Sequence, residues 1–175
     1  MALRNADAAD LFDLLASLSE LDGAIVSSSR VRAAVAAGDV LLARRLLGRP
    51  FCLRGTVVHG DARGRTLGFP TANLDTGLQV LPAHGVYAGR AQVAGVWHDA
   101  VANIGRRPTF AGADVRVEVH LLDGRAHDLY GQRLAFDVVA CLRAERRFDG
   151  LPGLLEQIGR DVAAARAVLA EDRCA

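Results

Sequence analysis

The sequence contains no lysine. All 21 of its basic residues are arginine, which excludes Schiff-base chemistry and any lysine general base. It also excludes the phosphate loop whose glycine run closes on Lys-Ser or Lys-Thr. Cysteine is scarce: Cys52, Cys141 and Cys174 are odd in number and irregularly spaced. That pattern argues against a disulfide framework or a zinc site and for reduced thiols in the cytoplasm. Cys52 and Cys141 sit inside apolar runs and read as core fillers. No apolar run approaches membrane-spanning length. The start carries Asp7, Asp10 and Asp13 rather than a basic segment, so a signal peptide is not expected. Charge of one sign is also lacking. A formal net charge of +1 offers no large electrostatic footprint for nucleic acid or an anionic membrane, and neither is expected as a partner.

What is present is a 175-residue chain, 51% hydrophobic, long enough for one well-buried domain and a small appendage. Residues 7–20 carry Leu11, Leu14, Leu15 and Leu18 at helical spacing, and Gly23 stops them. Ser27, Ser28 and Ser29 offer N-cap hydroxyls for a second short helix ending at Gly38. Asp39 can cap a third through Leu46, terminated by Gly48 and Pro50. Three short helices raise a helix-turn-helix DNA binder. Six arginines against six acids in residues 1–50 leave it no basic face.

From Phe51 the texture becomes that of strands. Leu53 to His59 alternate, Gly85–Val93 reads as a strand, and Val96–Ile104 returns as its hairpin partner across Gly95. Val115, Val117, Val119 and Leu121 share one face, with Arg116, Glu118 and His120 on the other; Leu134 to Leu142 alternate likewise. Strands joined by glycine-containing turns, without helices between them, predict an antiparallel barrel or sandwich. Asn103–Phe110 is expected to leave its strand and turn at Gly105 and Pro108. A final helix carries Leu151, Leu154, Leu155, Ile158, Val162, Ala165 and Leu169 on one stripe.

Residues 60–73, Gly-Asp-Ala-Arg-Gly-Arg-Thr-Leu-Gly-Phe-Pro-Thr-Ala-Asn, combine three glycines and two arginines with a hydroxyl and a carboxamide. Glycine lets backbone N–H groups approach an anion, guanidinium matches phosphate, and neutral oxygens suit Mg²⁺. Pro70 speaks against a dinucleotide fingerprint, which should open into a helix. The same residues also suit a glycine-rich surface hairpin, and alone they do not choose. Glu118 is a candidate base on a rigid strand, flanked by Arg116 and His120; a wet strand face has the same pattern. Arg143, Glu145 and Phe148 could grip a planar polar ring or form a charged loop with one anchor. His59, His84, His98, His120 and His127 show no metal-ligand spacing.

Five motifs in order give a more specific reading. Gly-Arg-Thr-Leu-Gly-Phe-Pro-Thr-Ala-Asn73, Val-Ala-Asn-Ile-Gly105, Val-Glu-Val-His-Leu-Leu-Asp123, Asp-Leu-Tyr-Gly131 and Leu-Arg-Ala-Glu-Arg-Arg-Phe148 resemble the riboflavin kinase family. The likeness is to the kinase module of bacterial bifunctional riboflavin kinase/FMN adenylyltransferases, over about residues 51–165. It implies a mainly β fold: a six-stranded antiparallel Greek-key-like barrel with a C-terminal helix. It implies transfer of the γ-phosphoryl group of ATP to the 5′-hydroxyl of riboflavin, with Mg²⁺. By position, Glu118 is the implied catalytic base, and Thr71 and Asn73 the implied metal ligands. Gly60, Arg65, Gly68, Pro70, Thr71 and Asn73 fall on the ATP side, and Arg143, Glu145 and Phe148 on the flavin side. Residues 1–50 resemble a helical remnant of the adenylyltransferase module: Val26-Ser-Ser-Ser-Arg-Val-Arg32 matches its last motif, while its His-containing nucleotide motif is missing. Residues 51–175 form the kinase part. FMN adenylylation is therefore expected to be absent, and the protein is expected to be a cytoplasmic monomer. The competing readings are a flavin- or nucleotide-binding module without catalysis, and a fragment of a bifunctional FAD synthetase.

Overall fold

Alternating apolar and polar residues between Phe51 and Ala144 fold into six antiparallel strands that close on themselves. The computed structural model describes residues 20–60, 63–109, 112–124 and 127–174. The strands are β3 (Phe51–Val58), β4 (Ala72–Asp75), β5 (Gly85–Val93), β6 (Val96–Thr109), β7 (Gly112–Leu121) and β8 (Arg133–Ala144). They close as β3-β4-β7-β6-β5-β8, so the barrel presents no open edge along its wall. Its interior holds Leu53, Tyr87, Ile104, Val117, Phe136 and Val138, each at most 2% exposed. Burial holds the Tyr87 phenol protonated well above its usual range, and its hydroxyl donates to the Ala83 carbonyl.

The expected six-stranded barrel with a C-terminal helix is the observed fold, with three differences in detail. Asn103–Phe110 does not turn at Gly105 and Pro108: β6 runs on to Thr109, pairing with β7 as far as Thr109↔Gly112. Beyond Ile104, β6 has no partner in β5, so the two strands project as a ribbon past the barrel rim. A proline lacking its N–H is tolerated where a strand has only one neighbour. Second, β4 is only four residues long and its alternation is too brief to stand out. Third, Cys141 is exposed, while Cys52 is half-buried. Burial, with Asp137 beside it, pushes the Cys52 thiol up to about 11.

Before the barrel, β1 (Glu20–Leu21) and β2 (Ala24–Ile25) pair across an Asp22-Gly23 turn with φ of 56° and 71°. Gly23 is therefore the corner of a hairpin. The helix expected over residues 7–20 lies outside the described residues, apart from Glu20. The two following helices are as expected: α1 (Ser28–Ala36) is capped by Ser27 and α2 (Val40–Leu47) by Asp39. They pack together through Ala34, Val35, Ala43 and Leu46. Val40 joins the barrel core, fastening α2 to the wall.

One helical turn, α3 (Arg63–Thr66), interrupts the glycine-rich loop. The last helix, α4 (Leu151–Cys174), lies along the outside of the barrel. Its apolar stripe divides. Ala165 and Leu169, both 0% exposed, seat on Val86, Ala88, Val101 and Val139; burying a leucine of this kind contributes roughly 1.5–3 kcal/mol. Leu154, Ile158 and Val162 roof a cleft, and Leu151 is 50% exposed. The far end of α4 is pinned by Asp172, which pairs with Arg44 of α2 and with Arg90 of β5 at 2.7 Å. The hydrogen bond from Arg44, with that from Arg90, holds its carboxyl below the usual range against the opposing effect of burial.

Candidate active site

Strand parity decides which side chains leave the barrel wall together. On β7, Val117 and Val119 face the interior, so Glu118 and His120 face outward. On β6, Ala102 and Ile104 face inward, so Asn103 faces outward. Register then places Asn73 of β4 and Asn103 of β6 on either side of Glu118. This outward patch lies partly under the first half of α4. The result is a cleft of about 370 Å³ lined by Thr71, Glu118, His120, Asn103, Glu145 and Phe148, among others.

The separate sequence motifs therefore meet in one place. Thr71 from the glycine-rich loop, Glu118 from β7, Arg143 from the end of β8, and Glu145 and Phe148 after it all line this cleft. Asn73 lies beside it and lines a second, more open cleft of about 590 Å³ that also includes His59 and Arg116. His59 stacks on Tyr130 of the Asp-Leu-Tyr-Gly131 motif, with ring centroids 4.0 Å apart. Gly68 is exposed at φ 84° and lies outside both linings. Pro70 is exposed, and its carbonyl accepts a 2.8 Å hydrogen bond from His120 Nδ1, tying the loop to β7. Arg65 falls within α3, and its side chain lies outside the described residues.

Two glycines allow the close approaches on which this arrangement rests. A Cβ on Gly60 would lie 2.2 Å from Asn73 Nδ2, and one on Gly105 would lie 2.6 Å from Glu145 Oε1. Both distances are well inside van der Waals contact. Gly60 thus contributes by leaving room for the Asn73 carboxamide.

The metal implied by the family has a site the residues fit. Among the described residues, Asn73 Oδ1 is a buried side-chain oxygen with no hydrogen-bond partner. Leaving such a group unsatisfied costs free energy, and neutral oxygen donors suit a hard divalent cation. Thr71 supplies a second oxygen two residues earlier on the same chain.

On the opposite wall, Arg143 is largely committed. Its Nε and Nη2 bond the Asp161 carboxylate of α4 at 2.8–3.1 Å, and Nη1 donates to the Ala144 carbonyl at 3.1 Å. Asp161 is 6% exposed and also accepts from Gln157. Arg143 thereby fixes the segment carrying Glu145 and Phe148 to the roof helix. Arg146 lies over the Phe148 ring at 4.5 Å, a cation–π contact.

Asn103, Gly105 and Arg146 stood in quoted motifs without an assigned site role, Asp161 was not named, and His120 entered only as a neighbour of Glu118. Outward parity on β6 was the available signal for Asn103. Asp161 was legible only as a charge at position i+3 from Ile158 within an apolar stripe.

The family described as Flavokinase, riboflavin kinase, matches residues 47–169, and the chain belongs to it. A bifunctional riboflavin kinase/FMN adenylyltransferase of Pseudomonas fluorescens is 50% identical over 152 residues, covering 86% of this chain and 49% of that protein. The Escherichia coli K12 protein of the same description is 46% identical over 159 residues, covering 89% and 50%. The chain thus spans about half the length of these curated relatives. Among solved structures, riboflavin kinase from Trypanosoma brucei aligns with a TM-score of 0.52 at 29% identity, over 71% of this chain and 83% of that one. A Streptococcus pneumoniae structure described as a macrolide-efflux protein aligns with a TM-score of 0.79 at 35% identity, over 91% and 54%. Efflux is said of that protein; no helix among the described residues here is long and apolar enough to cross a membrane.

Proposed function

We propose that this chain is a riboflavin kinase, transferring the γ-phosphoryl group of ATP to the 5′-hydroxyl of riboflavin to give FMN and ADP. The observation that carries the reading is the meeting of Thr71, Glu118 and the Arg143–Phe148 segment in one cleft, with the unpaired Asn73 oxygen beside them. Apolar walls from Leu67, Phe69, Val101 and Leu154 suit a flat tricyclic ring, with Phe148 and Arg146 available for stacking. The open cleft on the other side of Asn73, with Arg116 and His59, suits the nucleotide.

Phosphoryl transfer demands positioning and charge stabilisation more than covalent help from the protein. Glu118 accepts the proton of the ribityl 5′-hydroxyl as its oxygen bonds to the γ-phosphorus. The bond from that phosphorus to the bridging oxygen breaks, and ADP leaves with the electron pair. Thr71 and Asn73 would hold a divalent cation, Mg²⁺ in this reading, which would supply charge neutralisation at the transferring phosphate. His120 steadies the loop through the Pro70 carbonyl, and Arg143 steadies the flavin wall through Asp161. Helices α1 and α2 act as a cap on the barrel, a role supported by Val40 in its core.

Only the kinase reaction is assigned to these residues. The test is a chromatographic assay of riboflavin, ATP and Mg²⁺ that scores FMN, ADP and FAD together. Equal amounts of FMN and ADP are expected without FAD. Riboflavin binding without ADP release would identify a binding module instead, and FAD formation would reinstate adenylylation.

A further inference from the structure

Five residues before Asn103 on β6, and five after Glu118 on β7, the chain assembles a second cluster of ligating groups. His98 is two residues before Ala100, which faces the barrel interior; Asp123 is two beyond Leu121, which does the same. His98 lies about 17 Å along β6 from Asn103, and Asp123 sits in the turn just after β7 at the same barrel end. His127, on the connection to β8, completes the group. His98 Nδ1 is 3.0 Å and His127 Nε2 2.7 Å from the same Asp123 oxygen, Oδ2. The three ligating atoms all lie within 4.8 Å of one another, although His98 is 25 residues before Asp123 in the sequence.

The geometry points to a second metal site here, made by His98, Asp123 and His127 and suited to Zn²⁺ or a similar late first-row ion. Two imidazole nitrogens and a carboxylate oxygen are a zinc ligand set that leaves a fourth position for water. Nitrogen ligands select against Mg²⁺, which prefers oxygens throughout. This site and the Thr71–Asn73 site therefore do not compete for the same ion. Zinc bonds of about 2.0–2.2 Å require only that the two rings turn so both nitrogens meet one centre. The two histidines are half-buried and Asp123 is exposed, with side chains 16–22% exposed, so an ion could reach the group. A bound ion would clip the turn end of the β5–β6 hairpin, where His98 pairs with Ala91, to the β7–β8 connection. Its role would be to hold the barrel mouth rather than to take part in phosphoryl transfer.

The exposed thiols of Cys141 and Cys174 are the competing zinc ligands, so the test uses the full chain with both changed to serine. Equilibrium dialysis against Zn²⁺ in excess Mg²⁺ should leave one equivalent bound and raise the melting temperature. His127→Gln and Asp123→Asn should each weaken binding by more than the roughly 10–100-fold typical of outer-shell changes. Both should abolish the thermal shift while leaving FMN formation in Mg²⁺ unchanged. Equal zinc affinity in all three proteins, or no zinc uptake, would overturn the proposal and leave a hydrogen-bonded His-Asp-His network. Should a variant fail to fold, the Co²⁺ spectrum of the parent protein decides. Nitrogen–oxygen ligation supports the site, whereas a thiolate charge-transfer band points to Cys52 and overturns it.

Discussion

Asn73 and Glu118 stand directly opposite each other across the β4–β7 ladder. The proposed cation ligand and the proposed base therefore rise from adjacent points on one sheet, and their spacing is set by backbone hydrogen bonds rather than by loops. A site built on paired strands keeps its geometry without help from substrate.

That rigidity makes Gly60 a sensitive position. A Cβ there would meet Asn73 Nδ2 at 2.2 Å, so Gly60→Ala must displace the carboxamide or the loop. A displacement near 1 Å costs on the order of 10²-fold in rate. We expect the kcat of FMN formation to fall by about that factor and the Mg²⁺ requirement to rise, with little change in Tm. Steady-state assays across a Mg²⁺ series, alongside thermal melts, check both halves.

The Arg143–Asp161 pair predicts a different signature. Removing one partner of a buried, hydrogen-bonded pair typically costs about 3–5 kcal/mol. Asp161→Ala should therefore destabilise the fold by about 3 kcal/mol in urea unfolding and raise the KM for riboflavin more than that for ATP. Equal effects on the two substrates would separate α4 from the flavin wall.

The strands were legible because the barrel is half core and half wall, which writes alternation into the sequence; Val115–Leu121 shows it plainly. The end of β6 was not, because Gly105 and Pro108 are breakers in an interior strand but harmless in a two-stranded ribbon. In the site, Glu118, Thr71 and Phe148 were legible through residue type and motif order. Asn103 and Asp161 were not, since their roles depend on register and on which half of the α4 stripe faces the barrel. In the His98–Asp123–His127 cluster only Asp123 and His127 share a local spacing, four residues apart. The pairing of β6 with β7 is what brings His98 to them.

The pH dependence of stability should carry the mark of Asp172. Its carboxyl is held below the ordinary value of 3.8, first by the Arg44 hydrogen bond. A lowered folded value means its stabilisation is fully present above pH 3.8 and fades as pH falls through that lowered value. Asp172→Asn should cost about 1.5–3 kcal/mol at neutral pH, the range for hydrogen bonds to charged groups. The gap to wild type should narrow at strongly acid pH. Paired urea titrations at neutral and acid pH read it directly.

Thiol chemistry should divide the three cysteines. Cys141 and Cys174 are exposed, whereas Cys52 is half-buried with its thiol pushed up to about 11. The thiolate is the reacting form, so mild alkylation near neutral pH should modify Cys141 and Cys174 and spare Cys52. Peptide mass mapping before and after denaturation shows whether it does.

The central claim is that Glu118 takes the proton from the riboflavin hydroxyl. The most direct measurement is single-turnover FMN formation by wild type and Glu118→Gln, with ATP and riboflavin affinities determined separately. Wild type should give equal moles of FMN and ADP, and the chemical step should slow by about 10²–10⁴-fold in the variant, with binding and Tm nearly unchanged. FMN formation by Glu118→Gln at the wild-type rate would contradict it.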